Sequence, residues 1–98
     1  MMAKVGGVGD SKVPDDNVHD ICQQIRKQVE DKSGKSFTEF TPVSFKTQVV
    51  NGINYFIKVR VSDGQYVHVR SHKAFTGDIT FANFVDNKTL EEEIEYFP

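Results

Sequence analysis

The chain has 98 residues, 38% of them hydrophobic and 27% charged, with a formal net charge of −2. That length suits one domain able to bury a core without metal or disulfide staples, and the charge leaves no footprint for nucleic acid or an anionic membrane, both of which want clustered cations. A single cysteine, Cys22, has no internal disulfide partner, and Met1-Met2-Ala3-Lys4-Val5-Gly6-Gly7 offers no apolar stretch long enough for a signal peptide or membrane span, so the expected address is cytoplasmic.

Residues 1–13 hold Gly6, Gly7 and Gly9 without sustained periodicity and read as a flexible N-terminal arm of one domain covering 1–98. Pro14-Asp15-Asp16 opens a helix, because proline fits a first turn and aspartates there cap free amides and complement the helix dipole. Val18, Ile21, Cys22, Ile25 and Val29 recur at helical spacing as one apolar stripe, opposite Asp20, Gln24, Arg26, Lys27 and Glu30. Gly34 supplies the stop. Such a stripe needs a sheet or helix to cover it.

Strand patterns follow. Val43, Phe45 and Thr47 alternate with Ser44, Lys46 and Gln48; Ile53, Tyr55, Ile57, Val59 and Val61 alternate with Asn54, Phe56, Lys58 and Arg60. This period of two belongs to half-buried antiparallel strands. Ser62-Asp63-Gly64 turns the chain into a third strand with Val67 and Val69 on one face. Ala74-Phe75-Thr76-Gly77-Asp78 reads as a second hairpin tip, followed by a strand from Ile79 to Val85 and a turn at Asp86-Asn87-Lys88. Leu90, Ile94 and Tyr96 alternate with Glu91, Glu93 and Glu95, a pattern for a last strand whose acidic row is a solvated face that discourages edge pairing. The expectation is an α+β fold, one long N-terminal helix packed on a four- to five-stranded antiparallel sheet.

The Asn51-Gly52 step between the first two runs is a strong turn signal. A two-residue turn there would pair Lys46 with Ile57 and Gln48 with Tyr55, driving polar groups onto the apolar face. Pairing Phe45 with Ile57 and Thr47 with Tyr55 keeps the faces consistent. It leaves either a three-residue loop Val50-Asn51-Gly52, with Gly52 in the left-handed position such loops need, or a five-residue loop from Gln48. Both place Val50 at a tip its own sheet does not bury, which is a contact surface or an idle turn. Alternate turns of a meander emerge at one end of the sheet, so the Val50 and Phe75 tips belong side by side.

Gln48-Val49-Val50-Asn51-Gly52 resembles the Gln-Val-Val-Ala-Gly loop of the cystatins, inhibitors of papain-like cysteine proteases. The flanking run Ser44-Phe45-Lys46-Thr47 through Ile53-Asn54-Tyr55-Phe56-Ile57-Lys58-Val59 resembles the stefins, the disulfide-free branch of that family, and the likeness extends from Gly6-Gly7 to Tyr96-Phe97. The resemblance implies the cystatin fold. It also implies reversible, competitive blocking of a cathepsin-type active-site cleft by a wedge with three parts: Val5, Gly6 and Gly7 in the unprimed subsites, Gln48, Val49, Val50, Asn51 and Gly52 over the catalytic cysteine, and Phe75, Thr76 and Gly77 as the second loop. Asn51 stands where the family usually has alanine, Phe75-Thr76 where stefins usually have Leu-Pro, and the loop after Gly77 looks shorter than in typical stefins.

An enzyme would have to use Cys22 as nucleophile with His19 or His68 as base, yet Cys22 lies on the apolar stripe, where thiols are inert packing. His68 and His72 share a strand face but are too far apart for one metal ion, at about 3.3 Å of rise per residue. The expectation is therefore no enzyme and no cofactor, with papain-like proteases as partners and neither nucleic acid nor membrane. A non-inhibitory interaction module is the alternative. A monomer is expected, with exchange of halves about the short Gln48–Gly52 hinge as a route to a domain-swapped dimer.

Overall fold

In a computed structural model, which describes residues 9–98, helix α1 spans Asp16–Ser33. The Asp15 carboxylate accepts a hydrogen bond from the Val18 amide at 2.9 Å, taking up one of the amide donors that a helix start leaves open. At the other end Gly34 adopts φ 74° and its amide donates to the Glu30 carbonyl at 2.9 Å. Both end signals in the sequence thus act as expected, and Val18, Ile21, Cys22, Ile25 and Val29 are all buried. The Arg26 guanidinium donates to the Phe37 carbonyl at 2.6 Å, and the Glu30 carboxylate accepts from the Phe37 amide at 2.9 Å. These bonds tie the chain to α1 as it leaves for the sheet, and the Phe37 amide first, then Arg26 beside the carboxylate, hold Glu30 below its usual pKa against the opposing effect of burial.

Strands β1 (Thr41–Val50), β2 (Gly52–Ser62), β3 (Gln65–Lys73) and β4 (Ile79–Lys88) form one antiparallel sheet in the order β1-β2-β3-β4. Phe45 pairs with Ile57 and Thr47 with Tyr55, the register that keeps apolar residues on one face. Phe45, Tyr55, Ile57, Val59, Val67 and Val69 meet the α1 stripe there, with Phe37, Phe40, Phe81 and Phe84 packed around them.

The expected fifth strand is absent among the described residues: β4 ends at Lys88, and residues 89–98 carry no strand. The reason is local. The Thr89 amide donates to the Glu92 carboxylate at 2.9 Å and the Glu92 amide donates to the Thr89 hydroxyl at 3.2 Å, the reciprocal pair of a capping box. That turn bends the chain away from the sheet edge and sends it across the face opposite α1. There the Lys58 ammonium donates to the carbonyls of Leu90 and Glu92, and Lys46 pairs with Glu93 at 2.9 Å. Phe56, fully buried, lies against Tyr96 and Phe97 with ring centroids 5.7 and 5.6 Å away. Arg70 stacks over Phe56 and Tyr96 and donates to the Phe97 carbonyl at 3.0 Å, while the Asn83 amide donates to the Pro98 carbonyl at 3.0 Å. The sheet face opposite α1 is therefore covered by a strap that touches all four strands, while Glu91, Glu93 and Glu95 remain exposed.

His68 lies on this covered face, 2% exposed, and its Nε2 has no hydrogen-bond partner among the described residues. Burial first, then the Lys58 and Lys88 charges, push its pKa from 6.5 down to about 4, only partly opposed by Glu92. Folded His68 is accordingly neutral through a range in which the unfolded chain takes up a proton. The unfolded state then binds more protons, so this contribution is fully present above pH 6.5 and is lost as pH falls towards about 4. Its size is about 3 kcal/mol at most, at about 1.4 kcal/mol per pKa unit. Urea unfolding followed across that window should show stability falling with acid. In His68→Leu the part of the slope lying above the carboxylate range should be largely gone.

Candidate functional site

At the end of the sheet nearest the start of α1, β1 and β2 meet in the loop foreseen from the register. Val49 pairs with Ile53 and Val50 with Gly52, leaving Asn51 at the apex. Val49 is 82% exposed and Val50 40%, so the more prominent apolar side chain is Val49, one residue before the position that tip geometry singles out. Val49 is on the face shared with Phe45 by strand parity, but it stands past the buried stripe of the helix, and none of the described residues covers it. Asn51 is exposed as well.

Gly52 is demanded twice over. Its φ is 103°, a conformation that side chains resist. A Cβ on Gly52 would also lie 2.6 Å from the Lys73 carbonyl oxygen and 2.8 Å from the His72 ring. This close approach is what sets the first tip against the root of the second. Below the tip, a polar rung crosses three strands on the face away from α1. The Asn54 amide donates to the Gln48 side-chain oxygen at 2.8 Å, and the Asn54 oxygen lies 2.9 Å from His72 Nδ1. Because the Asn54 nitrogen is engaged with Gln48, its oxygen is the acceptor, and Nδ1 of His72 carries the hydrogen. Gln48 and Asn54 are buried. Gln48 is thus a support of the tip from below, whereas Val49, Val50 and Asn51 form its outer surface.

The second tip joins β3 to β4. The Ala74 amide donates to the Asp78 carbonyl and the Gly77 amide to the Ala74 carbonyl, each at 2.9 Å; Gly77 sits at φ 96°, and the Thr76 hydroxyl donates to the Asp78 carboxylate at 3.1 Å. Phe75 is held outward, 81% exposed. The Lys73 ammonium donates to Asn17 at 2.7 Å, and the Asn17 amide donates to the Tyr55 hydroxyl at 2.8 Å, so the root of this tip is fixed to the first turn of α1. Asn17, Asn54, His72 and Lys73 were missed as supports in the sequence. For Asn54 and His72 the available signal was a polar residue every second position on the face away from the apolar pattern; Asn17 in α1 and Lys73 on the helix-facing side of β3 carried none.

Gly9 donates to the Thr47 carbonyl at 2.9 Å, and Lys12 exchanges backbone hydrogen bonds with Phe45. With falling residue number this segment climbs β1 towards Val49. Val5, Gly6 and Gly7 lie outside the described residues. Away from the tips, Cys22 is buried and its thiol is pushed up to about 12 by burial, which keeps it protonated and packed in the core. No group of three or more metal-ligating side chains forms among the described residues, and no helix among them is long and apolar enough to cross a membrane.

A family model described as the Cystatin domain matches residues 6–93, a span that takes in both tips, the polar rung and α1. The chain belongs to the cystatin family. Among its relatives, Cystatin-A2 of Dictyostelium discoideum is 40% identical over 96 residues, covering 98% of this chain and 100% of that protein. Human Cystatin-B is 44% identical over 80 residues, 79% of this chain and 82% of that protein, and Cystatin-A3 of Dictyostelium discoideum is 39% identical over 80 residues, 82% and 84% of the two. These relatives place the cystatin described here on the stefin branch, as its strand sequence suggested, and in a family of protease inhibitors, not enzymes.

In this cystatin Gly52 is the residue whose replacement tests the geometry most directly. Gly52→Ala combines a disfavoured φ with a collision against main-chain oxygen, which flexible side chains cannot relieve, and should lower stability by about 1–3 kcal/mol. Thermal unfolding beside Gly77→Ala provides the check. Gly77 shares the positive φ but has open space at its Cβ position, so the Gly52 variant should be the less stable of the two.

Proposed function

We propose that this cystatin is a reversible, tight-binding, competitive inhibitor of papain-like cysteine proteases of the cathepsin type. Its wedge would consist of Val5, Gly6 and Gly7, the Gln48–Gly52 tip, and Phe75, Thr76 and Gly77. The observation that carries this reading is the pair of neighbouring tips presenting Val49, Val50 and Phe75 to solvent on main chain held from below by Gln48, Asn54 and His72. Apolar side chains clustered at a rigid, convex end suit insertion into a cleft. The segment from Gly9 to Lys12 running up β1 towards the same end supports a place for the residues before it beside the tips.

Inhibition then follows from shape and stiffness. Loops already hydrogen-bonded into their conformation lose little further freedom when they dock, so more of the apolar burial is retained as affinity. The wedge fills the cleft without placing a susceptible peptide bond against the nucleophile, so the protease is blocked and the inhibitor stays whole. A cytoplasmic location fits a chain whose one cysteine is a buried thiol.

Titration of papain should show stoichiometric, reversible loss of activity, with serine and metalloproteases unaffected; full papain activity in the presence of excess chain would refute the reading. Val49→Asp separates wedge from idle turn. On an exposed tip it should leave unfolding nearly unchanged. In the complex it removes roughly 1.5–3 kcal/mol of apolar burial and desolvates a carboxylate, weakening inhibition by about one to three decades at about 1.4 kcal/mol per decade.

A further inference from the structure

We infer that Asn51-Gly52 is a self-modification site: spontaneous deamidation of Asn51 converts the apex of the tip into aspartate or isoaspartate and retires the inhibitor. The consequence for inhibition rests on the function proposed above; the modification itself does not. Of the five asparagines in the chain, only Asn51 precedes a glycine. Asn17, Asn54 and Asn83 have side chains engaged in hydrogen bonds. Asn51 is exposed and its side chain makes no hydrogen bond among the described residues. Asn87 is also exposed but precedes Lys88, whose side chain shields the main-chain nitrogen that would have to react.

The chemistry needs only water. The deprotonated amide nitrogen of Gly52 attacks Cγ of Asn51, the bond from Cγ to the side-chain nitrogen breaks, and ammonia leaves. The resulting succinimide takes up one water at either carbonyl and opens to aspartate or isoaspartate, with nothing oxidised or reduced. Glycine favours this because no side chain obstructs the attacking nitrogen. Both products place a carboxylate at the exposed apex of the first tip. Isoaspartate also threads an extra methylene into the main chain of a three-residue loop whose Gly52 has no room against Lys73 and His72. A bound protease would remove Asn51 from water and arrest the reaction, so the free inhibitor ages while the engaged one does not.

The test is to age the full chain in warm, mildly alkaline buffer, digest it with trypsin and sequence the Thr47–Lys58 and Ala74–Lys88 peptides by mass spectrometry. The expected result is conversion of an amide to an acid at Asn51, with Asn54 and Asn87 unchanged, and none in Asn51→Ala. If the native chain stays unmodified at Asn51 while the chain in denaturant converts, the folded tip forbids ring closure and the inference is overturned. Aged, modified chain that melts like fresh chain should inhibit papain about tenfold more weakly or worse, about 1.4 kcal/mol, while Asn51→Ala, whatever its starting potency, should not change on ageing. Equal potency of modified and fresh chain overturns the retirement step. Failure of fresh chain to inhibit papain refutes the proposed function and leaves the mass result standing.

Discussion

The pairing of Phe45 with Ile57 is the constraint on which the rest of the molecule depends. It fixes which side of β1 and β2 faces the helix, and through strict alternation it fixes the side of every residue up to the tip. A slip of one position would press Lys46 and Gln48 onto Val18 and Ile21. With the faces set, the strands close through a short loop whose last residue, Gly52, has a positive φ. The stiffness of the tip therefore begins in the core and reaches the surface through backbone geometry.

The sheet is covered on both sides, and the two sides are closed by different physics. Aliphatic stripe meets aliphatic strands under α1, a contact without directional demands. Across the other face the closing elements are cations and carbonyls. The Lys58 ammonium is buried, which lowers its pKa by desolvation, partly opposed by Glu91 and Glu92. Main-chain oxygens of residues 90 and 92 supply the hydrogen bonds that an isolated buried ammonium would lack. Such bonds are directional, so they set where the strap lies, and the aromatic stack of Phe56, Arg70, Tyr96 and Phe97 fills the space beside them.

What the sequence disclosed and what it concealed divide along the same line. The helix, its caps, the four paired strands, the register and the exposed tip are periodic or carry turn chemistry, and Asp15, Gly34 and Gly52 each announce a local backbone event. The strap was concealed because alternation of Leu90, Ile94 and Tyr96 with glutamates imitates a strand, while its cause, Thr89 bonding to Glu92, is a short turn motif within that alternation. Phe56 pointed to a second covered face, as a large aromatic among Lys58, Arg60 and Asn54, but no rule of period says what covers it. Val49 was named with the tip, yet Val50 drew the emphasis, because parity tells the side of a strand and not how far along it the helix reaches. The rung from Gln48 through Asn54 to His72 joins residues distant in sequence, and only the assembled sheet brings them into line.

The strap also sets an order of events during synthesis. Residues 89–98 leave the ribosome after all four strands and the helix, so the nascent chain can assemble the helix-covered layer while Phe56, Lys58 and His68 still face water. Until residues 89–98 arrive, the helix-covered layer carries an aromatic patch on its open side, the kind of surface that invites chaperones or a neighbouring nascent chain. Closing that face falls to a segment that never joins the sheet.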